Sequence, residues 1–390
     1  MSDITLSCMI VPESLGLPDF EAKRRVHVDA QQMGWDGAWA QLLRFALHGQ
    51  GPDVSEIGST WLSSLIDMDA LRPLTSWSLS FLRDMERFFP AARWAIMRPG
   101  DYHIWAVPLL TDTRAIYYRR DWLQQAGVDE AGAFQTPASL AATLERLQDS
   151  GIEVPWAVPT ADLDVLYNAV SFVWAAGGRV RSKDGRRLRL AEPKARSALR
   201  SFLSLHRFLA PPAQGLSVLG TDALFYQGQA AAVISGPWLL KTLEQQPKLL
   251  AKVGVVPVPG VPFIGGSHLV IWRHARNEQD IIALMKHLTS PEIQKSCFRA
   301  TGNLPARLDV LDGEPFISDP RYRTFAVSLK SGRVLTVSYR WAAVEQRLVD
   351  MLKQLWADLA ADPELDLDAE IEARVAVLIE ELEHTLLATW

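Results

Sequence analysis

The sequence predicts an α/β protein of two lobes, each a mostly parallel sheet flanked by helices. Three observations lead there. At 390 residues the chain exceeds what one hydrophobic core comfortably fills, so two domains are expected. With 48% hydrophobic and 22% charged residues the composition is that of an ordered globular chain, neither disordered nor fibrous. Short apolar runs alternate with stretches of helical periodicity, the grammar of parallel strands covered by helices.

The elements follow in order. Ile4–Val11 is a near-continuous apolar run, and Arg25–Ala30 places Val26, Val28 and Ala30 on one side, so both read as strands. After the second, Asp36 is placed to cap a helix whose Trp39, Leu42, Leu43, Ala46 and Leu47 share a face. A third strand ends at Gly58, and Ile104–Leu109 and Ala115–Tyr118 extend the series. Thr136 with Pro137 opens a helix with Leu140, Leu144 and Leu147 as its buried stripe, and Gly151 stops it. Helices are expected over Val165–Ala176, Lys194–Phe208, Ile281–Leu288 and Pro291–Arg299, the last capped by Ser290 and stopped by Gly302. A strand begins at Ala230 and breaks at Gly236-Pro237, with Trp238 just beyond. Val253–Gly266 is too rich in Pro and Gly to be one continuous element and reads as a crossover. Val334–Ser338 is strand-like, and two amphipathic helices near 344–360 and 367–387 close the chain.

Several function classes fall away. A net charge of -5 offers no broad field for phosphate backbones, so no nucleic-acid partner is expected. The one basic run, Arg181–Leu190, alternates charged and apolar residues around Asp184-Gly185 and reads as a hairpin with a solvated face. No apolar run reaches the roughly 18 residues of a membrane span. Met1 is followed by Ser-Asp and a strand pattern, so no export signal is visible; the expectation is a cytoplasmic chain, or one read after a signal was removed and a Met added. Cys8 and Cys297 lack metal-ligand spacing and are expected to be buried free thiols, with a disulfide as the alternative. Neither cofactor nor metal is expected.

A set of segments then points to a family: Pro52-Asp53-Val54, VPLLTDTRAIYYRRDWLQQAG (107–127), TPASLAATLERL (136–147), WAAGG (174–178), FYQGQAAAVISGPW (225–238), VGVVPVPG (253–260), Gly265-Gly266, and SPEIQ with TGNLPA (290–306). In this order they resemble the family 1 extracellular solute-binding proteins, the sugar receptors of ABC importers. Arg119-Arg120 stands where such proteins usually carry Asn-Lys.

The resemblance implies the two-lobe periplasmic-binding-protein fold, maltose-binding-protein-like (type II-like), with hinge crossovers and both lobes discontinuous. The expected lobes are residues 1–110 with 262–325, and 111–261 with 326–390. It further implies a monomer that captures a mono- or oligosaccharide in an interlobe cleft by closure and delivers it to transporter membrane components outside the cytoplasm.

Parallel strands independently place ligands off their carboxyl ends. The candidate contacts are therefore Glu13, Trp35, Asp36, Ser59, Trp61, Asp112, Thr113, Trp156 and Trp238, with Gly266, Ser267 and His268 on the return crossover and Tyr339, Arg340 and Trp341 after the last strand. Trp238 leads, since a pyranose presents C–H groups on its faces and hydroxyls at its rim. Asp36 is equally a helix cap.

Three other readings stay open. A glycoside-acting enzyme would need paired carboxylates, but no nucleophile elbow, His-Glu-x-x-His or phosphate loop is present. A ferric receptor could use Tyr117 and Tyr118, yet neighbouring strand residues face opposite sides. A ligand-sensing module of the same fold, without export, is the third.

Overall fold

The computed structural model describes residues 3–74, 84–88, 103–182, 185, 187–335 and 341–387. The expected hairpin at Asp184, the strand Val334–Ser338 and the candidates Tyr339 and Arg340 fall wholly or partly outside these residues. In chain order the strands are β1 (Asp3–Cys8), β2 (His27–Gln32), β3 (Val54–Gly58), β4 (Leu71–Arg72), β5 (Ala106–Thr113), β6 (Ala115–Arg119), β7 (Ala232–Ser235), β8 (Val253–Pro257), β9 (Ile264–Trp272) and β10 (Leu304–Pro305).

The chain divides into two compact units. The first is Met1–Asp112, Ile264–Ser318 and Val337–Ala342; the second is Thr113–Phe263, Asp319–Thr336 and Ala343–Trp390.

The first unit is built on one sheet of order β10-β5-β9-β3-β1-β2, with β4 beside β9. β1 runs parallel to β2 and β3, pairing Asp3 with His27 and Leu6 with Val54. β9 returns antiparallel, pairing Ser55 with Val270. Alternation in β1 drives Ile4, Leu6 and Cys8 into the core. All of β3 is buried because helices cover both faces of a central strand. Its polar members are therefore paired: Ser55 bonds Ser7 at 2.7 Å and accepts the Trp272 indole N–H at 2.7 Å. Glu56 accepts from the Met9 and Ile10 amides at 2.6 and 3.0 Å and from Ser267 Oγ at 2.5 Å. Burial pushes the Glu56 carboxyl above its ordinary range, against those hydrogen bonds.

In the second unit β6 lies between β7 and β8 and runs antiparallel to both, pairing Ala115 with Ser235 and with Pro257. The expectation of a mostly parallel sheet fails at this strand, which runs antiparallel to both of its neighbours. Parallel pairing persists beyond β7, where Val154 meets Ala230 and Ala157 meets Val233, and at the bridge between Phe263 and Arg333. The segment read as a single crossover, Val253–Gly266, is β8 and the start of β9 joined by residues 258–263. Tyr117 and Tyr118 face opposite sides: one hydroxyl donates to Gly236 O at 2.6 Å, the other to Glu130 Oε1 at 2.6 Å.

Helix boundaries follow local chemistry. Pro137–Asp149 begins with a capping box in which Thr136 Oγ1 accepts the Ser139 amide at 3.0 Å and Ser139 Oγ accepts the Thr136 amide at 2.9 Å. Leu140, Leu144 and Leu147 form its buried stripe. Pro291–Thr301 is capped by Ser290 and ends on Gly302 at φ 78°. Cys8 and Cys297 are free and buried, and burial raises their thiols to about 12 and about 11.

Candidate functional site

Each unit carries a cluster of candidate binding residues, a proposed half-site, at one sheet edge. In the first, the carboxyl ends of parallel β1, β2 and β3 and the amino end of antiparallel β9 share an edge, since Gly58 pairs with Ser267. Four segments emerge there. Glu13, in the turn after β1, is exposed. Trp35, after β2, is 51% exposed and lies 5.8 Å from the Trp61 ring after β3. Trp39 packs on the other side of the group, 5.7 Å from Trp61. Ser59 is half-buried and its amide donates to Gly266 O at 3.0 Å. Trp61 rests on Gly58, where an added Cβ would meet the indole at 3.2 Å, so a bulkier residue there would displace the ring. Gly266 has φ 143°, and a side chain would collide with the Leu110 carbonyl; only glycine fits this close approach.

Asp36 does not cap its helix. Its φ/ψ of -66°/118° followed by 81°/-7° at Gly37 is a type II turn at the head of Trp35–His48. The aspartate is exposed at that turn.

The second half-site gathers where β6 begins and β7 ends. The Arg114 Nε donates to Asp164 Oδ1 at 2.5 Å, an ion pair with side chains only 6% and 12% exposed. The Arg114 guanidinium carbon lies 4.7 Å from the centre of the Trp238 ring. Trp238 opens the helix Trp238–Leu243, is half-buried, and donates its indole N–H to Asp222 Oδ2 at 2.8 Å. The ring passes over Gly236, where an added Cβ would collide with it. The largest apolar side chain therefore stands where the chain leaves the core, held by an aspartate, an arginine and a glycine. Asp162 ties the loops together by accepting the Val218 and Asp164 amides at 2.6 and 3.0 Å.

The electrostatics follow from crowding carboxylates around one cation. Burial first, with Asp164 second, raises Asp162 to about 6 against the two amide bonds and Arg114. Burial raises Asp222 to about 7, opposed by Ser235, the Trp238 N–H and Arg114.

Other candidates lie elsewhere. Thr113 and Trp156 are 0% exposed, Trp341 is 0%, and Ser267 and His268 are 1%. The structure puts these five in the core, not on a binding surface. Ser267 is committed to Glu56, His268 sits mid-ladder opposite Ile57, and Trp156 lies between the two residues that bridge to β7. Asp112 is half-buried at the end of β5. Arg114, Asp162, Asp164, Asp222 and Trp39 join the half-sites without having been singled out from sequence.

The arrangement offers an aromatic surface with polar groups fixed beside it. Among the described residues no cluster of three His, Cys, Asp or Glu could hold a metal ion. No helix among them is long and apolar enough to cross a membrane.

The diacetylchitobiose binding protein DasA of Streptomyces coelicolor is 22% identical over 346 residues, 84% of this chain and 77% of the relative. The GacH receptor of Streptomyces glaucescens, solved unliganded and with acarbose, superposes with a TM-score of 0.83 at 18% identity, covering 98% of this chain and 99% of that one. An ABC transporter solute-binding protein from Thermotoga lettingae, bound with α-D-tagatose, gives 0.85 at 18% identity, covering 99% and 100%. These likenesses establish the two-lobe mixed α/β fold. The family model for bacterial extracellular solute-binding protein matches residues 18–324. The chain belongs to the bacterial extracellular solute-binding protein family.

Proposed function

We propose that this protein is the carbohydrate-capturing receptor of an ABC importer, acting outside the cytoplasm and passing its ligand on unchanged. The supporting observation is Trp238: a half-buried indole, its N–H held by Asp222 and its ring beside Arg114. An apolar ring plane with charged hydrogen-bonding groups at its margin matches a sugar's C–H face and hydroxyl rim. Trp35, Ser59 and Glu13 are the corresponding contacts from the first unit, with the buried Trp61 ring packed behind Trp35. Capture by closure of the two units on the ligand completes the proposal, and the protein works as a monomer with transporter membrane components as its partner.

Binding alone meets the energetic need. A micromolar ligand requires about 8 kcal/mol. Aromatic contacts at about 1 kcal/mol each beyond area burial, with charge-assisted hydrogen bonds at about 1.5–3, reach that range.

Thermal-shift screening against mono- and oligosaccharides tests the proposal, because a ligand preferring the folded state raises the midpoint. At least one sugar is expected to do so, and Trp238→Ala should weaken it by more than tenfold in calorimetry while unfolding stays cooperative. No shift with any sugar, or unchanged affinity in the variant, overturns it.

A further inference from the structure

The second unit contains a separate cavity of about 600 Å³, within the range of small-molecule sites. One wall is the helix Trp341–Ala361, through Lys353, Trp356 and Ala357; the other is Thr160 with the 206–215 segment. None of the residues of the Trp238 half-site lines it. Leu209, Leu359 and Ala161 make much of the lining apolar.

Its polar groups are unevenly satisfied. The Trp356 side chain is 4% exposed and packs edge-on against Phe202 at 5.4 Å. Its Nε1, a donor only, has no acceptor among the described residues. Thr160 is 3% exposed, its amide donates to Leu216 O at 2.9 Å, and its Oγ1 likewise lacks a partner among the described residues. Buried donors left this way destabilise the fold unless a ligand or water accepts from them. Lys353, half-buried, forms no ion pair among the described residues.

Three of the remaining polar side chains are hydrogen-bonded. Gln354 donates to Asp358 at 2.9 Å, Gln214 donates to Leu209 O at 3.3 Å, and Asp350 Oδ1 accepts from Gln346 at 2.9 Å. Burial foremost, then Arg207, lowers the His206 pKa, which favours its neutral form. The cavity is therefore largely apolar, with two unmatched buried donors, the Lys353 cation and the exposed Asp350 carboxylate in its lining. A neutral sugar, which brings as many donors as acceptors, would leave its own hydroxyl hydrogens unpaired there.

We propose that this cavity is a second binding site, for an amphipathic monocarboxylate. The carboxylate accepts from Trp356 Nε1 and Thr160 Oγ1 with Lys353 as counter-charge, and the apolar body lies along Leu209, Ala357 and Leu359. Charge-assisted acceptance satisfies both buried donors at once, which an uncharged alcohol does less well and an amine cannot do.

Calorimetric titration of the whole protein with octanoate, octanol and octylamine tests this. Octanoate is expected to bind, octanol more weakly, and octylamine not at all. Trp356→Phe keeps the ring against Phe202 and removes only the donor, so octanoate should weaken about tenfold. Lys353→Glu at a half-buried helix position, and Ala357→Trp filling the cavity, should abolish it, and Lys353→Glu should leave any sugar-induced thermal shift intact. Absent octanoate binding, octylamine binding as tight as octanoate, or affinity unchanged in Lys353→Glu and Ala357→Trp overturns the proposal.

Discussion

At the residue scale, Asp222 carries the sharpest consequence. An unfolded aspartate titrates near 3.8, whereas Asp222 in the fold titrates near about 7. Between those values the folded chain keeps a proton the unfolded chain has lost. Its contribution to stability is whole below pH 3.8 and is lost as pH rises through about 7. Asp222→Asn stays neutral and still accepts from the Trp238 N–H, so its stability relative to the wild type should grow between pH 4 and pH 8, by an amount on the order of 2–4 kcal/mol. Urea unfolding at several pH values reads this; a difference independent of pH would contradict it. Gly236 offers a complementary test. Gly236→Ala forces the Trp238 ring aside, so it should weaken sugar binding nearly as much as Trp238→Ala while the overall fold persists. Equal affinity of Gly236→Ala and wild type would show that the ring's position is not fixed by this contact. Trp238 was legible in the sequence because a strand broke at Gly236-Pro237 before it. Asp162, Asp164 and Asp222 were not: they are ordinary acidic residues until Arg114, the 160–164 segment and the helix Val218–Tyr226 come together on folding. Trp156 and Trp341 show the reverse, since an aromatic near a strand end carries no mark of whether the surrounding loops cover it.

At the element scale, segments with strong local chemistry were readable and those set by partners were not. The Thr136 cap, the Leu140–Leu144–Leu147 stripe and the Ser290 and Gly302 boundaries all depend on neighbours within a turn. The helix Pro320–Ser331 went unassigned. It starts on an Asp319 side chain that accepts the Arg321 amide at 2.9 Å, but its buried side is a mixed Tyr322, Phe325, Ser328 and Leu329 rather than a clean apolar stripe. The antiparallel course of β6 was hidden for another reason: strand direction is a property of the pair, and Ala115–Arg119 reads the same against either partner. The capping box gives a direct test. Thr136→Ala should lower unfolding free energy by about 1 kcal/mol, seen as a lower urea midpoint with an unchanged slope. A midpoint equal to wild type would mean that Pro137 and packing alone fix this helix start.

At the scale of the whole molecule, the proposed function draws on candidate residues from two units built on different sheets. The first unit presents Trp35, backed by the buried Trp61, at the carboxyl ends of parallel strands. The second presents Trp238 beside Arg114 and its carboxylates where an antiparallel sheet ends. Order along the chain announced the family and the mixed α/β fold, because the matching segments keep their sequence over residues 18–324. Which sugar is taken depends on side chains from loops that each unit brings together only on folding. The central claim is that both half-sites hold one carbohydrate. Calorimetric titration of wild type, Trp238→Ala and Trp35→Ala with the sugar that most raises the thermal midpoint tests it most directly. Trp35 is 51% exposed, so its loss should leave stability nearly unchanged. The account predicts one site per chain in the wild type and at least several-fold weaker binding in each variant; full affinity retained in either variant would contradict it.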